Sequence, residues 1–188
     1  MLSREKHYRK IPRMHWGLLK TIIVLPGTAL VFIPALILLL TRNSIFAPRL
    51  ISFTQDLSWL ALLIASIGLT LTALTGSLFI KFGRGTPAPW DPPKKLVILG
   101  PYRYVRNPMI TGALLILLSE AIFFQSWPIA VWMMLFFTAN GFYFHLVEEK
   151  GLEKRFGNEY LNYKAHVPRW IPRFKPWGPT SHDSQKSS

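Results

Sequence analysis

Two apolar stretches joined by two polar residues decide the fold of this chain: residues 109–124, MITGALLILLSEAIFF, then Gln125-Ser126, then residues 127–147, WPIAVWMMLFFTANGFYFHLV. The first stretch carries the single charge of Glu120 and the second carries none. A helix of about 20 apolar residues crosses the hydrocarbon core of a bilayer. Because Pro128 falls where a first-turn proline is tolerated, the pair predicts a tight antiparallel hairpin of transmembrane helices.

Two further uncharged stretches, residues 21–40 and 57–80, raise the predicted number of membrane spans to four. Half of the 188 residues are hydrophobic and only 16% are charged, which excludes intrinsic disorder. We therefore predict a single all-α, polytopic membrane domain over residues 1–188. Prolines and a glycine predict a kink in the first span, and small residues at helical spacing predict close packing of the second. These residues are Pro26, Gly27 and Pro34, and Ala61, Ala65, Gly68, Thr72 and Gly76.

The basic residues predict the orientation of these spans. Twenty of the 22 lie before the first span, in residues 81–108 or after residue 147. The positive-inside rule then places both termini and the 81–108 loop in the cytoplasm, and we predict the inner membrane of a prokaryote. The net charge of +13 fits acidic lipid rather than nucleic acid, because the apolar residues occur in blocks. There is no cysteine, and no histidines have metal-ligand spacing, so no metal is predicted.

The loop 81–108 has the composition of a segment that holds one shape. It contains six prolines and three glycines around the apolar residues 96–99. It ends in Arg106-Asn107-Pro108, where Asn107 fits a helix N-cap and Pro108 the first helical position. Free amides at that helix start, together with Arg106, predict an anion site. A rigid spacer whose arginines contact lipid phosphates is the alternative.

Glu148 and Glu149 follow the last span, so the hairpin returns them to the same side as Arg106. Two adjacent acids at a helix C-terminal end oppose its dipole, which favours a positively charged or hydrogen-bond-donating ligand. A solvated acidic face paired with lysines is the alternative. Together with aromatic faces from Tyr102, Tyr104 and Tyr143, these groups suit a zwitterion with an additional cation, such as S-adenosylmethionine.

Residues 148–179 predict a cytoplasmic interfacial segment. Leu152, Phe156, Tyr160 and Tyr163 form an apolar stripe of an amphipathic helix. The following prolines, tryptophans and arginines, among them Arg169, predict an anchor in the head-group layer or a cover for the cofactor, and the polar tail 180–188 is predicted to be disordered.

Four polar residues of the spans and their ends are candidate substrate contacts: Glu120, Asn140, Tyr143 and His145. Three of them have a structural alternative. Glu120 can reach the outer interface, Asn140 can bond to another helix, and His145 can be structural rather than a general base.

Two motifs carry a resemblance to a known family. They are Leu96-Val97-x-x-Gly100-Pro101-Tyr102-Arg103-x-x-Arg106-Asn107-Pro108-x-x-x-Gly112, and Glu148-Glu149-x-x-Leu152-x-x-x-Phe156-Gly157-x-x-Tyr160-x-x-Tyr163-x-x-x-Val167-Pro168-Arg169. The chain resembles the isoprenylcysteine carboxyl methyltransferases and their relatives among the phospholipid methyltransferases over residues 81–175. The resemblance implies an integral-membrane fold and S-adenosyl-L-methionine as methyl donor. It implies cofactor contacts from Lys95, Leu96, Val97, Tyr102, Asn107, Pro108 and Glu148, and the predicted set adds Gly100, Arg106 and Glu149.

We therefore predict a methyltransferase that acts on a lipophilic acceptor, with Arg106 and Glu148 as candidate catalytic residues. A carboxylate acceptor is favoured because methyl transfer to it needs alignment and a dry pocket rather than a strong base. N-methylation of a phospholipid amine is the first alternative, and a non-catalytic module that binds acidic lipids is the second. A nicotinamide-dependent reductase is disfavoured because the loop lacks a dinucleotide glycine fingerprint. The oligomeric state is left open.

Overall fold

The computed structural model describes residues 26–52, 55–83 and 93–178. The predictions for residues 21–25 and 84–92 and for the tail 180–188 fall outside the described residues. Within the described ranges all regular structure is helical and no strand forms, which confirms the predicted all-α class for this part of the chain. The helices are α1 (Thr28–Thr41), α2 (Asp56–Gly83), α3 (Pro108–Phe123), α4 (Trp127–Tyr143) and α5 (Glu149–His166).

Within the described part of the chain, two helices are long and apolar enough to cross a membrane, judged by length and composition. They are α2 and the continuous helix Trp127–His166 that contains α4 and α5. The apolar helices α1 and α3 are shorter; the 16 residues of α3 rise about 24 Å. Large apolar side chains such as Leu63 and Phe142 are 58% and 64% exposed. Apolar surface on this scale is typical of a chain that contacts lipid.

The first helix is irregular where its sequence predicts a kink. A π-helical turn covers Thr28–Phe32, and the N–H of Ile33 donates to the carbonyl of Thr28. Pro34 follows within the first turn of the regular part, Ile33–Thr41, and is buried. Since proline has no N–H to donate, the ordinary hydrogen-bond ladder is interrupted at this point.

The closest helix pair is α2 with α3, which meet through glycines. A Cβ atom on Gly68 would lie 2.8 Å from the carbonyl oxygen of Gly112, and a Cβ on Gly112 would lie 2.9 Å from the carbonyl oxygen of Gly68 and also against Thr72 Oγ1. Such distances leave no room for a side chain, so the backbones are in direct contact. The predicted small-residue face of α2 is the face that packs on α3.

The hairpin of α3 and α4 turns over three residues rather than the two that the sequence suggests. Gln125 adopts φ 46°, and Ser126 donates its N–H to the carbonyl of Ala121 over 2.9 Å. Leu117 is fully buried in the core between these helices, and Trp132 of α4 donates to the carbonyl of Ala29 over 3.0 Å. The hairpin therefore also holds α1.

The helix that contains α4 does not end at the Glu148-Glu149 pair, contrary to the prediction. A π-helical turn, Phe144–Glu148, joins α4 to α5, and helical backbone continues to Phe156 and, beyond a break at Gly157, to His166. The helix dipole therefore does not act on these acids as it would at a C-terminal end. Within α5, Gly157 has φ 50°, a conformation that glycine adopts without strain, so the helix axis changes direction there.

The contact between Gly68 and Gly112 predicts that adding one methyl group there lowers the stability of the protein. Gly112→Ala should destabilise the protein by about 1–3 kcal/mol, because the helices must separate to admit a Cβ. Gly27→Ala is the control, since a Cβ on Gly27 meets nothing within 4 Å. Unfolding in mixed detergent micelles measures both variants, and a Gly112→Ala protein as stable as the control would contradict direct backbone packing.

Candidate functional site

A cleft lies where the loop before α3 meets the start of α5. Its walls come from the end of α2, from loop residues 93–107, from the π-helical turn and from α5. The lining residues are Phe79, Pro93, Lys95, Leu96, Val97, Tyr102, Arg106, Asn107, Phe144, Glu148, Glu149, Leu152, Tyr160 and Tyr163. Both ends of the α3–α4 hairpin thus contribute to one site.

The loop wall of the cleft is fixed by backbone hydrogen bonds and by burial. Lys94 donates its N–H to the carbonyl of Gly83 over 2.8 Å, which anchors the loop to the end of α2. A short 3-10 turn, Gly100–Arg103, then buries Tyr102, whose ring lies 5.5 Å from that of Phe79. The carbonyl of Tyr102 accepts a hydrogen bond from the hydroxyl of Tyr163 over 2.7 Å. The loop is therefore bonded to α2 on one side and to α5 on the other.

A buried carboxylate lies at the base of the cleft. Glu149 is bound by three cations from three segments: Arg106 Nη1 at 2.8 Å, Arg169 Nη2 at 2.7 Å and Lys164 Nζ at 3.3 Å. The side chains of Glu149 and Arg106 are only 6% and 12% exposed. Burial would raise the pKa of Glu149, but the charge of Arg106, the hydrogen bond and charge of Arg169, and the charge of Lys164 lower it below 4.5. Glu149 is thus held ionised.

The neighbouring Glu148 is in a different electrostatic state. It follows the apolar stretch 127–147, lines the cleft, and among the described residues has no salt-bridge partner within bonding distance. Burial raises its pKa to about 7; the charge of Arg155 opposes this shift and that of Glu149 adds to it. Of these two adjacent acids, Glu149 is therefore charged at neutral pH, whereas Glu148 gains or loses its proton near neutral pH.

Two buried donors of the cleft have no partner among the described residues: Arg106 Nε and Asn107 Nδ2. This corrects two predictions in detail. Arg106 does not present its whole guanidinium to a ligand, because Nη1 binds Glu149. Asn107 stands at the N-cap position of α3 but its side chain makes no cap hydrogen bond. An unpaired buried donor is costly, so a hydrogen-bond acceptor that entered the cleft would be stabilised by these two atoms.

The segment 167–178, here called the strap, lies along the loop. The N–H of Arg106 donates to the carbonyl of Pro168, that of Arg173 to Tyr104 and that of Trp177 to Arg103, over 2.9–3.0 Å. The apolar stripe of α5 also faces inward, where Tyr160, Tyr163 and Val167 are buried against Leu96 and Ile98. The stripe was predicted to lie at the membrane interface, and the strap to anchor in the head-group layer or to cover the cofactor. In the structure both contact the loop.

Most of the predicted cofactor residues meet in the cleft, and Arg106 and Glu148, the two candidate catalytic residues, line it together. Those that line it are Lys95, Leu96, Val97, Tyr102, Arg106, Asn107, Glu148 and Glu149. Gly100 and Pro108 lie just outside the lining. Gly100 begins the 3-10 turn with φ 54°, and Pro108 is buried at the start of α3. These two residues shape the loop rather than face the cleft.

The candidate substrate residues do not line the cleft. Glu120 lies about 18 Å along α3 from Pro108, near the opposite end of the hairpin. Asn140 donates to the carbonyl of Phe136 in its own helix over 2.8 Å. The alternative that it bonds to another helix is therefore not what the structure shows. Tyr143 packs edge-on against Phe144, with ring centroids 6.0 Å apart. His145 is exposed, and its Nδ1 lies 3.4 Å from Arg169 Nη2.

Several residues of the site were not among the predicted site residues. Tyr160, Tyr163 and Arg169 belong to the second motif, so a signal was present, but the helical stripe and the basic anchor offered a simpler explanation. Phe79 and Phe144 carry no such signal. Phe144 reaches the cleft because the π-helical turn brings it and both glutamates to one face, and no feature of the sequence announces that turn.

Comparison with known proteins identifies the family. The sequence model of the phospholipid methyltransferases, PEMT, matches residues 58–159, which is more than half of the chain. The chain belongs to the phospholipid methyltransferase family. Family membership confirms the resemblance and indicates a membrane methyltransferase, while a comparison with curated proteins returns no match. The family match begins in α2 and includes the loop and Glu148-Glu149, whereas the strap lies beyond it.

The Glu149 cluster predicts unequal effects of two similar substitutions. Glu149→Gln should destabilise the protein by about 3–5 kcal/mol, because Arg106 is left buried without its counter-charge. Glu153→Gln, which removes only a half-exposed partner of Lys164, should cost less than about 1 kcal/mol. Unfolding curves in detergent measure the stability of both variants. Equal losses would show that burial of the Glu149–Arg106 ion pair does not determine the effect.

The lowered pKa of Glu149 also predicts an acid-sensitive fold. A carboxyl whose pKa is lower in the folded than in the unfolded state contributes stability above pH 4.5, and this contribution is lost as the pH falls further. The wild-type protein should therefore lose stability on acidification below pH 4.5 more steeply than Glu149→Gln. Melting temperatures at a series of acidic pH values test this, and parallel curves would contradict it.

Proposed function

We propose that this protein is an integral-membrane enzyme that transfers the methyl group of S-adenosylmethionine to a lipophilic acceptor. Family membership supports the class of reaction. The observation that carries the cofactor assignment is the meeting of Glu148 with two unpaired buried donors, Arg106 Nε and Asn107 Nδ2, in one cleft.

The groups of the cleft fit the chemistry of S-adenosylmethionine. The ligand has a carboxylate, an ammonium group, ribose hydroxyls, an aromatic base and a sulfonium. Arg106 Nε and Asn107 Nδ2 are donors for its carboxylate, and Glu148 is an acceptor for its ammonium or ribose hydroxyls. The buried ring of Tyr102 and the half-buried ring of Phe79, with Leu96 and Val97, supply an apolar wall for the base.

When bound, S-adenosylmethionine supplies a methyl group activated by the adjacent sulfonium. The residues of the chain then have three tasks: to align the donor, to exclude water and to place the acceptor in line with the methyl group. Glu149 serves the first task indirectly, since its Oε1 binds both Arg106 and Arg169 of the strap. Tyr160 and Tyr163 close the floor of the cleft against the loop.

The proposed topology has four membrane spans with both termini in the cytoplasm. Two helices of sufficient length and two shorter apolar helices support it, as does the distribution of basic residues. In this arrangement the cleft opens toward the cytoplasm, where the soluble donor is available, and the lipophilic acceptor arrives from the bilayer. The inner membrane of a prokaryote is the proposed location.

The acceptor class has two candidates. A carboxylate is proposed first, because transfer to an anion needs no base and Glu148 is then free to hold the donor. N-methylation of a phospholipid amine is the second candidate, and the family match favours it. For an amine, Glu148 has the further use of accepting a proton near neutral pH, since its pKa is raised to about 7.

One labelling experiment tests the function and separates these acceptors. Membranes containing the full chain are incubated with methyl-labelled S-adenosylmethionine, and the lipid fraction is then treated with mild base. We expect labelled lipid whose label is released as methanol, as for a methyl ester. Label that resists base indicates an N-methylated amine instead. No labelled lipid above membranes that express Glu148→Gln would contradict the enzyme assignment.

The titration of Glu148 predicts the pH dependence of donor-site binding. The carboxylate binds an ammonium or two hydroxyls more tightly than the protonated acid, which has no charge and fewer acceptor sites, and the population of the carboxylate grows as the pH rises through about 7. Affinity for S-adenosylhomocysteine should therefore increase about tenfold from pH 6 to pH 8. Calorimetric titration should give a flat profile for Glu148→Gln and the wild-type slope for Glu159→Gln, a change at an exposed position of α5. A flat wild-type profile would refute the role of Glu148.

A further inference from the structure

A notch in the surface of the continuous helix lies beside the cleft and is not part of it. Phe137, Gly141, His145 and Glu149 follow one another at four-residue spacing and so lie along one face of the helix. A Cβ placed on Gly141 would meet nothing within 4 Å. The middle of this face is therefore open, although the chain approaches it on both sides.

The two borders of the notch come from consecutive residues of the strap. Trp170 contacts Phe137 edge-to-face, with ring centroids 5.0 Å apart. Arg169 reaches in the other direction, to His145 at 3.4 Å and to Glu149 at 2.7–2.9 Å. Since Phe137 and His145 are two turns apart, about 12 Å along the helix, the strap spans the open position of Gly141.

The borders have opposite chemical character. The Phe137–Trp170 border is aromatic and lies on the side of the long apolar stretch of α4. The Arg169–His145 border is basic and lies on the side of the cleft, where Arg169 is 24% exposed. Only Nε and Nη2 of Arg169 bind Glu149, so its remaining donors are available to a second anion. An amphiphile with an anionic head group and an apolar body matches this order.

We propose, on the basis of the proposed function, that this notch binds the anionic head group of the lipophilic acceptor. Arg169 and His145 contact an anionic group of the head group, a phosphate or carboxylate other than the group that accepts the methyl. The Phe137–Trp170 pair lies beside the first carbons of its apolar part, and Gly141 leaves the space that the head group occupies. Because Glu149 lines the cleft and also binds Arg169, the head group lies one side chain away from the donor site.

The absence of a side chain at residue 141 makes the proposal testable without disturbing the Glu149 cluster. Gly141→Leu fills the notch, and Gly27→Leu is the matched control because a Cβ on Gly27 also meets nothing within 4 Å. The purified full-length proteins are titrated with dihexanoyl phosphatidate. Two further ligands test the two borders of the notch separately. Inorganic phosphate has no acyl chains and can bind only the Arg169–His145 border, and dihexanoylglycerol has no anionic group and can bind only the Phe137–Trp170 border.

We expect the wild-type protein and Gly27→Leu to bind dihexanoyl phosphatidate with affinities within twofold of one another. Gly141→Leu should bind it at least tenfold more weakly, and Arg169→Gln should show a similar loss. Inorganic phosphate and dihexanoylglycerol should each bind at least tenfold more weakly than the phosphatidate. Equal affinity of Gly141→Leu and Gly27→Leu would overturn the proposal, as would phosphate binding as tightly as the phosphatidate.

A parallel titration with S-adenosylhomocysteine keeps the two proposals distinguishable. Gly141→Leu should retain the wild-type affinity for S-adenosylhomocysteine, since residue 141 does not line the cleft. Loss of phosphatidate binding alone would support the notch as a separate subsite. Loss of both ligands in Gly141→Leu would overturn the notch proposal, whereas a wild-type protein that binds phosphatidate but not S-adenosylhomocysteine would refute only the proposed function.

Discussion

The carboxylate of Glu149 is the interaction on which the site depends. Three cations from different parts of the chain converge on it: Arg106 from the loop before α3, Lys164 from α5 and Arg169 from the strap. A buried charge is tolerable only when it is paired, so each of these segments is held in place by the need to neutralise the same group. The cleft, its two unpaired donors and the neighbouring notch all take their positions from this cluster.

The two adjacent acids of this site differ in their ionisation and in their roles. Glu149 is kept ionised by its partners and organises the protein, whereas Glu148 is desolvated without such partners and titrates near neutral pH. One turn of π-helix brings both to one wall together with Phe144. Such a turn sacrifices regular hydrogen bonding, and it is retained here where it aligns ligand-facing groups.

The fold was largely predictable because hydrophobic blocks and small-residue spacing have few structural solutions in a membrane. Gly68 could be assigned to close packing from spacing alone, although its partner Gly112 could not. Arg106 and Glu148 could be brought together because a short hairpin must return to the side where it began. The continuation of the helix through Glu149 was not predicted, because the apolar stretch ends at Val147 and the span was expected to end with it. The inward orientation of Tyr160 and Tyr163 was not predicted, because an apolar stripe on a helix has the same sequence pattern whether it packs on a loop of the protein or contacts lipid.

Direct photolabelling tests most closely whether the loop and α5 together form the donor site. The full-length protein is irradiated with labelled S-adenosylmethionine, digested and mapped by mass spectrometry. The label should fall within residues 93–107 and 144–163, and excess S-adenosylhomocysteine should abolish it. Competed label confined to other segments, such as residues 28–52, would contradict the account.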